Sequence, residues 1–298
     1  MKPFTSTLAP PLLFEMDGLM SELEQGMEMF LLSNAVDESS AGQAVAAALY
    51  HLRSGGRRIR ARLAIHASLS LGLSSADALA LASTVELLHN ASLVHDDLQD
   101  DGLLRHGVPT VGVVYGSNIA ICTGDLLVSA AYASLATFSN SQLLAKLIGL
   151  VHTATAEAIH GQCAGFPHSE SAPNDLAEYN KVAIAKSGAL LSLPFQLAFL
   201  GAEKIHWLPQ ARRAAEEFAV GYQIMDDLQD VVCDGPMAMN MVNVLKARGH
   251  GEHALAQAHQ LGLKHLRNAV DLSDGLPDGS GDLLKALALS LSKRRATE

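Results

Sequence analysis

Apolar residues recur at helical spacing along most of this chain, and alternating β-branched runs are sparse. Phe14, Leu19, Leu23, Met27 and Phe30 mark one amphipathic helix. The pattern predicts further helices from Ala41 to His51, ending near Gly55 and Gly56, and from Ala76 to Asp101, where Leu81, Val85 and Leu88 share a face. Ser117–Phe138 is apolar nearly all round and reads as a helix buried on every side. Helices are also expected around 141–165, 175–200 and 207–232. Gly107 and Pro109 punctuate an expected loop from Gly102 to Thr110. The stretch DLSDGLPDGSGD at 271–282 reads as a flexible loop before a short last helix ending in Lys293, Arg294 and Arg295. With no linker and no repeat period, the expected fold class is all-α, a single domain over residues 1–298.

Composition agrees with a large helical protein. Of 298 residues, 49% are hydrophobic and only 17% charged, with Ala and Leu prominent. A net charge of −10 argues against nucleic acid as a partner. Cys122, Cys163 and Cys233 are isolated and off metal-ligand spacing, which suits a reducing compartment. The opening MKPFTSTLAPPLLFEMDG has no continuous apolar core and does not read as a signal peptide. Ser187–Ala202 is interrupted by Pro194 and Gln196 and reads as too short to cross a bilayer. A cytoplasmic protein without a transmembrane segment is therefore expected.

The string DDLQD occurs twice, at Asp96–Asp100 and Asp226–Asp230. Each copy crowds its carboxylates within about one helical turn, and two unit charges ~4 Å apart repel by ~4 kcal/mol at an effective dielectric of ~20. Neither copy intersperses Lys or Arg to relieve that repulsion. A hard cation such as Mg²⁺ among the oxygens accounts for the arrangement better than a solvated acidic face. At ~100° per residue, His89, Asp96 and Asp100 form one stripe with Asp97 and Glu86 beside it; Gln223, Asp227 and Asp230 form another with Asp226 beside it. The two clusters are expected to meet around a polyanionic ligand.

Basic elements accompany them. Ser54-Gly55-Gly56-Arg57-Arg58-Ile59-Arg60-Ala61-Arg62 combines close-approach glycines with guanidiniums suited to phosphate. Arg105-His106-Gly107-Val108-Pro109-Thr110 is a short cationic loop, and Lys186-Ser187-Gly188 places a cation and a hydroxyl in an apolar segment. Together these features point to a metal-dependent site for a diphosphate bearing a hydrocarbon tail.

At this level of detail the chain resembles the trans-prenyl diphosphate synthases of the polyprenyl synthetase family. GGRRIRA corresponds to that family's GGKRxRP, DDLQDDGLLRHGVPT to DDxxD…RRGxPT, and YQIMDDLQD to FQxxDDxxD. A GDxLL element at Gly124–Leu127, a GQ pair at Gly161–Gln162 and a K-T/S-G element at Lys186–Gly188 fall between them in the family's order. The resemblance spans residues 50 to about 232. It implies the isoprenoid synthase fold, a helical bundle around a central cavity, and a homodimer. It implies condensation of isopentenyl diphosphate with an allylic prenyl diphosphate. Asp96, Asp97, Asp100, Asp226, Asp227 and Asp230 would hold Mg²⁺, three ions with substrate bound. Arg105 and Lys186 would contact the allylic diphosphate; Arg57, Arg60 and His89 would hold isopentenyl diphosphate. Ser187 and Gln223 would stabilise the allylic cation.

The chain also departs from that pattern. His106 stands where a second Arg is usual, Arg57 where Lys is usual, and Gly165 where an Asp commonly follows the GQ pair. Residues 234–248 lack the GK…D…gK lysines, with Lys246 the one candidate substitute. These changes admit altered chemistry on the same scaffold, of a terpene cyclase or head-to-middle kind. His95-Asp96 with His66 or His89 also resembles a His-Asp metal phosphohydrolase doublet, and a non-catalytic partner subunit is the remaining alternative. Small residues one turn before the first acidic motif, Ala91 and Ser92, favour a product of twenty carbons or more over fifteen, with Leu87 and Leu88 as a possible deeper floor.

Overall fold

In the computed structural model, which describes residues 10–32, 42–165, 175–231 and 238–293, Ser74 caps the longest helix by accepting a hydrogen bond from Asp77 N at 3.1 Å. That helix, α4 (Ser75–Gln99), is preceded by α1 (Pro10–Leu32), α2 (Gly42–Arg53) and α3 (Ile59–Ser70). The expected residues Ala41, Cys233, Arg294 and Arg295, the first part of 234–248, and the Phe14 side chain lie outside the described residues. Asp77 also accepts from Ser139 N and Oγ, both at 2.8 Å, which ties the start of α4 to the residues following α6 (Ser117–Leu135). The middle of α4 is buried without interruption from Ala78 to Leu88 apart from half-buried Leu79. Small residues make the α4–α6 crossing close: Ser134 Oγ donates to Ala80 O at 3.0 Å.

After α4 the chain makes two corrections to the sequence reading. The Gly102–Thr110 loop contains a minimal hairpin, β1 (Leu104–Arg105) antiparallel to β2 (Val108–Pro109). Its two turn residues, His106 (φ 51°) and Gly107 (φ 83°), both take positive φ, as the tightest hairpin turns require. Histidine at the first position hid this turn, since Asn or Asp is the usual signal. Following α5 (Val111–Tyr115), α6 is not buried on every side: Ile121 is 48% exposed and Cys122 and Asp125 are open. Apolar composition alone does not reveal which face lacks a neighbour.

The later helices are α7 (Leu144–Gly165), α8 (Leu176–Ala183), α9 (Ala189–Gly201), α10 (Leu208–Asp230), α11 (Met241–Ala247), α12 (Ala254–Asp274) and α13 (Asp282–Ser292). A π turn, Ile184–Gly188, joins α8 to α9 into one helical run. That run, Leu176–Gly201, is 26 residues long, so Ser187–Ala202 is part of a longer helix than its apolar stretch indicated. It and α6 are long and apolar enough to cross a membrane, yet 72% of the apolar window in the first is buried within the fold, as in a core helix. Residues 271–282 are not a flexible loop: α12 runs through Asp274, and Leu276 and Ser280 are buried. Gly and Asp there serve a tight packed connection between α12 and α13. The described residues divide into two compact units, 10–148 and 149–293, and the fold class is all-α.

Candidate active site

In the first unit one stripe of α4 stays open. His89, Ser92, Asp96 and Asp100 follow one another at three- and four-residue steps and are half-buried or exposed, while Asn90, Ala91, Val94 and Asp97 are buried. Asp97 is 8% exposed and faces Arg105, whose Nη2 and Nε lie 2.6 and 2.8 Å from its two oxygens. A bidentate pair of this kind occupies the carboxylate on both oxygens. Asp96 and Asp100 therefore form the accessible pair of the first cluster, and Asp97 positions the hairpin that carries Arg105.

The Arg-rich segment divides its duties in a way the sequence did not disclose. Arg58 is buried, takes φ 47°, and donates to Glu24 Oε1 (2.8 Å), Leu52 O (2.6 Å) and Asn90 Oδ1 (3.3 Å), with Glu86 Oε1 at 3.5 Å. It is the staple joining α1, α2 and α4, and it neutralises buried Glu86. Arg57 is exposed, whereas Arg60 Nη1 lies 2.9 Å from His89 Nε2. A Cβ on Gly56 would stand 3.7 Å from His106 Nε2, so the hairpin turn reaches the glycine pair. Arg57, Arg60, His89, Arg105 and His106 thus all belong to this one unit.

Two imidazoles of this cluster are held below their usual range. Burial and then the Arg60, Arg105 and Arg58 guanidiniums hold His89 well below the usual imidazole range. Burial and then Arg105 hold His51 at about 4. Burial is the first cause of both neutral imidazoles, and the neighbouring guanidiniums add to it. His51, Asn90 and Arg58 were not singled out in the sequence; a lone His on an apolar helix face carries no signal by itself.

The second unit repeats the division of labour on α10. Tyr222, Gln223 and Asp226 are half-buried and Asp230 is exposed along one stripe. Asp227, 4% exposed, turns inward: Oδ2 accepts from Tyr179 OH (2.6 Å) and Met241 N (2.8 Å), and Oδ1 accepts from Gln223 Nε2 (2.9 Å). Burial, followed by the Asp227 charge, pushes the Tyr179 phenol far up, so it stays a donor. This corrects the expected stripe of Gln223, Asp227 and Asp230. Helical arithmetic placed Asp227 outward, but Tyr179 and the start of α11 claim it.

Lys186 and Ser187 sit on the π turn, Lys186 exposed and Ser187 Oγ 3.5 Å from Gln223 Oε1. π turns commonly mark functional positions because they re-aim side chains within a helix. Gly161 of the GQ pair makes room for this turn: a Cβ there would stand 2.6 Å from the Ala185 carbonyl carbon and overlap Lys186 N. Gly124 of the GDxLL element does the same for the His95 ring. His95 Nε2 lies 4.0 Å from Asp125, and His66 is buried. In the departing segment, Asn240 and Met241 reach Asp227, with Asn240 Nδ2 on the Asp227 carbonyl at 3.0 Å. Lys246 is exposed in the last turn of α11.

Metal chemistry fits this arrangement in a specific way. Asp96 with Asp100, and Asp226 with Asp230, are each four residues apart on an open helical stripe. Among the described residues no three His, Cys, Asp or Glu side chains are gathered into a preformed cage. Mg²⁺ seldom uses such cages; it is held by one or two carboxylates plus water and substrate phosphates.

The sequence matches the family described as Polyprenyl synthetase over residues 43–240. A geranylgeranyl diphosphate synthase of Cereibacter sphaeroides is 36% identical over 208 residues, 66% of this chain and 68% of that protein. A short chain isoprenyl diphosphate synthase of Methanothermobacter thermautotrophicus is 31% identical over 188 residues, 61% of this chain and 57% of that one. The chain thus spans little more than half the length of the first curated relatives it matches. Its fold is that of the geranylgeranyl pyrophosphate synthetase from the archaeon Geoglobus acetivorans, with TM-score 0.82 at 21% identity over 94% of this chain and 99% of the other. From its motifs, its fold and two thirds of its length, this chain belongs to the polyprenyl synthetase family.

Proposed function

We propose that this chain is a Mg²⁺-dependent prenyltransferase. It joins isopentenyl diphosphate to an allylic prenyl diphosphate, head to tail, and yields an all-trans prenyl diphosphate of twenty carbons or more. The observation that carries this reading is the split within each DDLQD: the first carboxylate is half-buried and the last exposed, while the middle one is buried and held by protein donors. A solvated acidic face has no reason for such a split. The relatives' names, geranylgeranyl and short chain isoprenyl diphosphate synthases, support the substrate class.

Asp96, Asp100, Asp226 and Asp230 would hold the metal, three ions once substrate is bound. When present, Mg²⁺ neutralises pyrophosphate and makes it a competent leaving group. Arg105 and Lys186 bind the allylic diphosphate; Arg57, Arg60, His89 and His106 hold isopentenyl diphosphate. As the allylic C–O bond breaks, the Gln223 and Ser187 dipoles face the cation. The isopentenyl double bond then forms the new C–C bond, and the departing pyrophosphate takes the proton released.

We further propose a homodimer acting in the cytoplasm. Exposed Val113 (52%), Val114 (47%) and Ile121 (48%) suit a covered apolar face, and exposed free thiols at Cys122 and Cys163 suit a reducing compartment. Light scattering of the purified protein tests the dimer. The activity is tested by incubating the protein with Mg²⁺, labelled isopentenyl diphosphate and each allylic diphosphate in turn, then identifying the lipid by mass spectrometry. Products formed from the allylic diphosphate alone would instead indicate cyclase-like chemistry, the reading favoured by the substituted segment around Asn240.

A further inference from the structure

Gln223 has an amide whose two ends are chemically opposite, and only one end suits a neighbouring cation. Its Nε2 lies 2.9 Å from Asp227 Oδ1 and its Oε1 lies on the Ser187 side, 3.5 Å from Oγ. The Asp227 carboxylate, accepting from three protein donors, offers Gln223 an acceptor and nothing else. An amide facing an acceptor must turn its nitrogen toward it. The oxygen is then left pointing to the π turn that carries Lys186 and Ser187.

The geometry points to Asp227 as a positioning residue that sets the Gln223 amide with its oxygen toward the reacting carbon, rather than as a metal ligand. This rests on the proposed prenyl transfer. The anchors of Asp227 come from two places: Tyr179 on α8 and the backbone N–H of Met241 at the start of α11, with Asn240 bonded to the Asp227 carbonyl. The segment that lacks the family's lysines therefore has a role of its own here, which is to hold Asp227 by main-chain and amide contacts.

Asp227→Asn separates the possibilities. Met241 N–H can only donate, so the new amide must place its oxygen there and its NH₂ toward Gln223. Gln223 then turns over and presents NH₂ to the cation. Expected are a kcat at least tenfold lower, KM values for both diphosphates within twofold, and calorimetric Mg²⁺–pyrophosphate affinity unchanged. Gln223→Leu should lose a similar factor, and the double variant no more than either single one. Weakened Mg²⁺–pyrophosphate binding, an unchanged kcat, or multiplicative losses would each overturn the assignment. A crystal structure of the unaltered protein with Mg²⁺ and pyrophosphate decides it without any variant: all three donors still on Asp227 supports it, and a metal on either Asp227 oxygen overturns it. If the unaltered protein makes no prenyl product, the proposed function falls, while the calorimetric and crystallographic outcomes still judge Asp227.

Discussion

Arg105 lies bidentate on Asp97, with contacts of 2.6 and 2.8 Å, while on either side of it in the motif Asp96 is half-buried and Asp100 exposed. Adjacent acids of identical type thus have opposite duties. Asp97→Asn leaves a partly buried guanidinium with a neutral partner and should destabilise the fold by about 1–3 kcal/mol in urea unfolding. Asp100→Asn relieves like-charge repulsion at an exposed position and should leave stability unchanged or raise it by roughly 0.2–0.5 kcal/mol without metal. Asp96→Asn and Asp100→Asn should each lower turnover by about two orders of magnitude or more. Equal stability losses at Asp100 and Asp97 would contradict the division.

Product length should answer to Ser92 before Ala91. Ser92 is half-buried on the open stripe of α4 between His89 and Asp96, whereas Ala91 is 2% exposed and packed. Ser92→Phe is expected to shorten the prenyl product with little change in stability. Ala91→Phe should also shorten it, but with an overpacking penalty of about 1–3 kcal/mol. Mass spectrometry of products and melting curves together check the order; an unchanged product distribution for Ser92→Phe removes the argument.

Acid sensitivity should trace in part to His51. Unfolded, it titrates near 6.5; folded, burial and Arg105 hold it at about 4. Between those values the unfolded chain binds the extra proton, so stability is full above 6.5 and declines as pH falls toward 4. A difference of that size corresponds to on the order of 3 kcal/mol. His51→Gln should flatten the urea midpoint between pH 7.5 and 5. Parallel slopes for both proteins would place the sensitivity elsewhere.

The two motif glycines should differ in how they tolerate a methyl group. At Gly161 the obstacle is backbone of the π turn, at Ala185 and Lys186; at Gly124 it is the His95 ring. A ring can change rotamer, whereas packed backbone must shift. Gly161→Ala is therefore expected to lower both stability and turnover more than Gly124→Ala, read by melting temperature and steady-state rates. The reverse order would mean that His95 is held more firmly than the turn.

The open stripe of α4 was legible from ~100° arithmetic alone, because the accessible positions His89, Asp96 and Asp100 follow the period of their own helix. On α10 the same arithmetic misplaced Asp227, since its partners Tyr179 and Met241 lie 48 and 14 residues away in sequence. Arg58 shows the same limit. It is one of four arginines within six residues, and only the fold reveals that this guanidinium is a staple. The hairpin at His106 and Gly107 and the packed turn near Ser280 were hidden for another reason: composition marks where a chain bends, not whether the bend is buried.

The π turn between α8 and α9 inserts one extra residue into an otherwise continuous helix. Deleting Gly188 would restore regular winding and swing Lys186 and Ser187 by about 100° relative to the helix that follows. The segment therefore has a fixed length as well as a fixed vocabulary. Descendants of this gene should exchange side chains there far more readily than they gain or lose a codon.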